Sequence, residues 1–166
     1  MPFVYSINSI EVNTNYTTSA TPNTEIDVAF VKPGATRASG IQALRIQGKG
    51  AALTALSGIV ARLKTWFTTG SSSGTSITPR PVDNRAPAAT STAAAGAGGG
   101  INAVTSGTGA SYVGGCGCGA SGPGGWVAIN PDSVITLDGG ANKSTDLISA
   151  SGTASLNFEF SLDIVE

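Results

Sequence analysis

Residues 156–164 read LNFEFSLDI, with Leu156, Phe158, Phe160, Leu162 and Ile164 alternating strictly with Asn157, Glu159, Ser161 and Asp163. Side chains on a β-strand point to opposite faces at every step, so this period of two predicts a strand with one apolar and one wet face. The same rhythm recurs at 59–68, where Ile59, Ala61, Leu63, Thr65 and Phe67 form one set and Arg62, Lys64, Trp66 and Thr68 the other. β-Branched and aromatic residues dominate this segment, as they do in strands.

Working outward, shorter strands are expected at 3–12, 25–31, 41–46, 76–78, 126–129 and 133–137, separated by clusters of Pro, Gly, Asn and Ser. A helix over 41–63 is disfavoured, because Gly48, Gly50 and Gly58 would each cost about 1 kcal/mol in its interior. One helical turn at 51–56 is compatible with the sequence. Many short strands without an alternating helical pattern predict an all-β fold: a jelly-roll-like sandwich or barrel of about eight short strands.

Between Arg85 and Asp132 no residue is charged, and Ala, Gly, Ser and Thr dominate. We read residues 86–125 as a low-complexity Gly/Ala-rich loop inserted into a single β domain spanning 1–166. Such a tract lacks the apolar periodicity that offsets the entropy of ordering a chain. It is therefore expected to be dispensable for folding and to matter for association.

Composition excludes several functions. The 166 residues carry nine Lys and Arg, ten Asp and Glu and a formal net charge of −1. Phosphate recognition needs clustered basic residues, and these are scattered from Lys32 to Lys143, so no nucleic-acid partner is expected. No run reaches the length of an apolar membrane span, and residues 1–10 have no basic start followed by an apolar core. The chain is thus expected to be made in the cytoplasm and to have no membrane partner. The net charge near zero weakens self-repulsion and favours assembly, and only 11% of residues are charged at all.

There is no histidine, which removes the commonest general base and metal ligand. The acids look like turn or exposed-face residues, without a convergent pair for carboxylate catalysis. Gly-x-Gly strings inside so glycine-rich a tract lack the strand-to-helix context of a phosphate cradle. Cys116 and Cys118 alone cannot complete a tetrahedral metal site in one chain; free thiols are the simple reading, and pairs gathered by symmetry-related copies the alternative. No catalytic residue, metal or cofactor is expected, and the chain reads as a non-enzyme. Candidate interface residues are Phe3, Tyr5, Trp66, Tyr112, Cys116 and Cys118. Trp66 stands on the face opposite the presumed core, either as an interface anchor or as the core of a second layer.

The stretch SGIVARLKTWFTTGSSSGTSITPRPVDNRAPAATSTAAA (57–95), the following glycine tract, WVAINPDSVITLDGG (126–140) and the final alternating strand together resemble small structural proteins of tailed bacteriophages. The resemblance covers most of the chain and implies a head decoration or cement protein. It implies a β-rich homotrimer on the capsid exterior, clamping subunits of the major capsid protein lattice, with no catalytic residues. Two other classes fit the composition: a carbohydrate-binding or adhesive module of a tail or surface fibre, since jelly rolls also carry lectin sites, and a filament subunit completed by the N-terminal strand of the next copy.

Overall fold

The computed structural model describes residues 2–12, 16–19, 21, 24–49, 58–96, 104–128, 134–137, 143–151 and 156–166. The helical turn expected at 51–56 falls outside them. The described residues form strands β1 (Val4–Asn8), β2 (Tyr16–Thr17), β3 (Ile26–Lys32), β4 (Ser39–Gly48), β5 (Gly58–Thr69), β6 (Thr75–Ile77) and β7 (Arg80–Pro81). These are followed by β8 (Thr92–Ala95), β9 (Thr108–Gly119), β10 (Pro123–Val127), β11 (Ile135–Leu137), β12 (Ser144–Ser151) and β13 (Asn157–Val165). A 3-10 turn, Ser9–Glu11, ends β1, and the Asn8 side chain caps it by accepting from Ile10 N at 3.2 Å.

Two antiparallel sheets face each other. One runs β10-β4-β13-β1-β7, with β11 beside β4 and β2 beside β13; the other runs β6-β8-β3-β12-β5-β9. Among the eight longer strands β1, β3, β4, β5, β9, β10, β12 and β13, the first pairs the eighth, the eighth the third and the third the sixth. In the other sheet the second pairs the seventh, the seventh the fourth and the fourth the fifth. This is the jelly-roll order, so the sandwich expected from the periodicity is the fold observed.

The core explains why β13 reads so cleanly. Phe158, Phe160, Leu162 and Ile164 are at most 2% exposed and face inward with Tyr5, Ile7, Leu44 and Ile46. Across the interlayer they meet Ile59, Ala61, Leu63, Val28, Val31 and Leu147. Tyr16 stacks its edge on Phe160 at a centroid distance of 5.1 Å. Neighbouring wet-face residues pair instead, as Arg45 does with Asp163 at 2.6 Å and Lys49 with Glu159 at 2.7 Å.

Residues 86–125 differ from the loop expected. They contain β8, β9 and the first residues of β10. Ala93 and Ala95 of β8 enter the core, and β9 pairs with β5 along its length. Small side chains hid these strands from a reading based on apolar period, but packing supplies the order that periodicity did not predict. The insertion between β5 and β9 gives β6 and β8 to one sheet and β7 to the other, extending both beyond β3 and β1. Among the described residues, no helix is long and apolar enough to cross a membrane.

Candidate interaction surface

The outer face of β5 and β9 carries a dense cluster of aromatic and charged groups. With Ile59, Ala61, Leu63 and Thr65 turned to the core, alternation sends Val60, Arg62 and Lys64 outward. Register then fixes their neighbours: Val60 lies opposite Gly117, Arg62 opposite Gly115 and Lys64 opposite Tyr112. Glu25, just before β3, accepts from both Arg62 Nη1 and the Tyr112 hydroxyl. That bond to Glu25, followed by burial, raises the Tyr112 pKa above its usual value. The Arg62 guanidinium carbon is 5.6 Å from the Tyr112 ring centre. Lys64 Nζ is 5.0 Å from the same ring centre and 4.5 Å from that of Trp66. Each cation–π contact at such a surface is worth about 0.5–1 kcal/mol, enough to bias the side chains toward this array.

Beside this array, Val60, Arg62, Tyr112, Gly114, Gly115 and Gly117 line a shallow, open cleft of about 480 Å³. Tyr112 is 51% exposed and Val60 41%. The outcome is a flat, partly apolar patch of mixed charge, suited to contact over area.

Of the residues read from the sequence, Tyr112 alone is both exposed and in this patch. Trp66 belongs to it from beneath, so of its two readings, interface anchor or core of a second layer, burial favours the second. It is only 8% exposed because Gly107 lies over it, so close that a Cβ there would sit 2.7 Å from Trp66 Cγ. Phe67, assigned to the core set, is instead 52% exposed, beyond a shift in the β5–β9 register. Tyr5 is corrected as well: it is fully buried, and its hydroxyl donates to Pro87 O at 3.0 Å, so it cannot meet a partner.

Phe3 lies elsewhere, half-buried against the core, in a second open cleft with Pro2, Val4, Val82, Asp83 and Arg85. Cys116 and Cys118 are free and half-buried, packed against the core in alternation with the glycines of β9. Burial, and then the neighbouring Cys118, pushes the Cys116 thiol up to about 11. Cys116 also reaches the floor of the open cleft beside Tyr112. Glu25, Arg62 and Lys64 were not singled out from sequence, because the pairing of Arg62 with Glu25 spans 37 residues.

The acids also depart from expectation. Asp27 and Asp146 are 7% and 0% exposed, and Asp27 stands opposite Ile148, two residues along β12 from Asp146, near enough for its charge to act on Asp146. Burial, only partly offset by hydrogen bonds from Ser71 and Ser144 and by the Trp66 indole, raises Asp146 to about 6, and the Asp27 charge adds to the rise. The Trp66 Nε1–H falls short of hydrogen-bond geometry, so its contribution is a weak one. Asp27 is raised as well, first by burial. As folded here, the Asp146 carboxyl has no exposure to solvent. Among the described residues, no cluster of His, Cys, Asp and Glu could hold a metal.

No family model matches this chain, and no curated protein does. Two solved structures show a distant likeness. The infectious bursal disease virus VP2 subviral particle is 11% identical at a TM-score of 0.25, with 99% of this chain and 41% of that one covered. The structure of the infectious bursal disease virus Gt strain is 15% identical at a TM-score of 0.21, with 99% and 40% covered. The chain therefore spans about two fifths of the length of either. Similarity at this level decides neither family nor role.

Proposed function

We propose that this chain is a structural virion protein that decorates and stabilises a capsid shell from outside, acting through contact area and not through catalysis. The observation that carries this reading is the surface of β5 and β9: aromatic, cationic and acidic side chains paired with one another around a flat glycine-floored cleft. The bacteriophage resemblance and a jelly-roll frame of low charge support it. Weak contacts repeated over a symmetric particle add up to large avidity, so no single residue has to dominate.

A sugar-binding role is less well supported, because Arg62 and Lys64 already stand over the Tyr112 ring on which a sugar would stack. A filament completed by a donated strand is also disfavoured, since β1 already lies between β13 and β7 of its own sheet. The test is co-sedimentation with the capsid shell encoded in the same genome, together with native mass spectrometry of the free chain. Shell binding by a closed oligomer is expected. A monomer that ignores the shell but binds on a glycan array would overturn the proposal.

A further inference from the structure

Residues 70–74 and 104–107, the two ends of the insertion between β5 and β9, lie together as a strap over the outer face of the second sheet. Ser72 N donates to Thr105 O and Thr105 N to Ser72 O, each at 2.9 Å, and Val104 N donates to Asp27 O at 2.9 Å. Beneath the strap, Phe30, Ala94 and Val104 make a small apolar cluster separate from the main core.

Both arms hang on one carboxyl group in the middle of the sheet. The Ser71 hydroxyl donates to Asp146 Oδ2, and the Ser144 hydroxyl to Oδ1 at 2.8 Å. Ser71 N donates to Ser144 Oγ at 2.9 Å, and Gly107 N to Ser71 Oγ at 2.8 Å. The groups facing Asp146 come from every neighbouring element. From β3 comes Asp27, whose rise by burial is opposed by the Ser106 side chain of the strap and by the Lys64 charge and reinforced by Glu25; from β12 itself come Ser144 and, flanking it, Lys143, against whose backbone Gly70 packs. From β5 come Trp66 and Lys64; Lys64 is the register partner of Asp146, but its ammonium lies over the Trp66 and Tyr112 rings.

We propose that Asp146 is a proton-operated pin: the strap stays clamped to β12 while the Asp27 and Asp146 pair holds a proton, and loosens when both carboxyls are ionised. Two buried acids that feel each other's charge resist simultaneous ionisation, and opening the strap gives the second charge its water. A protonated Asp146 keeps its contact with Ser71, because a hydroxyl accepts as readily as it donates. In the closed form Asp146 holds its proton up to about pH 6. Once open it has the ordinary carboxyl value of about 3.9. The closed form thus binds the proton more tightly, and opening becomes easier as pH rises between those two values, then levels off. Across that window the opening equilibrium is expected to rise on the order of a hundredfold.

Hydrogen exchange of the full chain from pH 4 to 8, corrected for the intrinsic rate, tests this at the amides of Ser71, Ser72, Thr105 and Gly107. The expected result is a step in opening that ends near neutrality and is absent from Leu147 and Leu162. Asp146→Asn should abolish the rise in opening toward neutrality, leaving only a small change at the acid end where Asp27 titrates. Should that variant fail to fold, Asp27→Asn removes the neighbouring charge and should move the step to lower pH. A parent profile without a step, or a step unchanged in either folded variant, overturns the proposal.

Discussion

At the scale of single residues, the pleat of β13 makes the sharpest prediction. Phe158 is fully buried and touches Tyr16, whereas Glu159 on the other face pairs with Lys49. Phe158→Asp puts an unpaired charge in the core, at a cost of several kcal/mol, and is expected to abolish cooperative unfolding. Glu159→Lys loses a surface pair and should cost about 1 kcal/mol or less. Equal melting of the two variants would reverse the assigned faces. Glu166 has a different role: its carboxylate accepts from Thr90 N at 2.8 Å, Thr90 Oγ1 at 2.9 Å and Ser91 N at 2.6 Å. Burial alone would raise its pKa, but these bonds outweigh that and hold it below the usual value. The stabilisation is therefore present above the ordinary carboxyl range and lost as pH falls through the lowered value. Glu166→Gln should melt a few degrees lower at neutral pH, and the gap to the parent should close below about pH 4 in a melting series. How far such residues could be read from sequence depended on burial. Phe158 announced itself by alternating with polar neighbours, while Asp146 looked like a surface acid because only tertiary structure places Ser71 and Gly107 above it.

At the scale of elements, the strands that sequence missed are those whose two faces do not differ in polarity. β12 reads STDLISAS and lies between β3 and β5, yet Ser144, Thr145, Asp146 and Ser149 are all buried, so no apolar period marks it. In β9 the inward set is Gly114, Cys116 and Cys118, which in sequence looks like a continuation of low complexity. Replacing residues 86–125 by a short Gly-Ser link should therefore prevent folding, in contrast to the dispensable loop expected from composition; a cooperative melt near the parental temperature would restore that expectation. The glycines within the tract are not equivalent either. A Cβ on Gly124 would sit 2.3 Å from Gly117 O, where β10 crosses β9, whereas the nearest atom to a Cβ on Gly117 is Ile59 O at 3.6 Å. Gly124→Ala is expected to cost about 2 kcal/mol or more, and Gly117→Ala less than about 1 kcal/mol, by denaturant titration.

At the scale of the whole molecule, the jelly-roll order makes the central strand of each sheet one of the last in the chain. β13 must find β1 and β4, and β12 must find β3 and β5, before either sheet can close. Closing such long loops early is entropically unfavourable, so refolding should take milliseconds to seconds or longer, as for other folds dominated by distant pairings. Stopped-flow fluorescence of buried Trp66 measures this, and a microsecond phase carrying the full amplitude would contradict it. The antiparallel seam between β1 and β13 also brings residues 3 and 166 together, with Phe3 N donating to Glu166 O and Glu166 N to Phe3 O, each at 3.0 Å. A force applied at those two residues would load the rungs one after another, peeling β1 from β13 like a zip, and not shear the whole ladder at once. The sandwich is therefore expected to be mechanically soft along that axis however stable it is to heat, so tension on this protein would be borne best by its faces and loops.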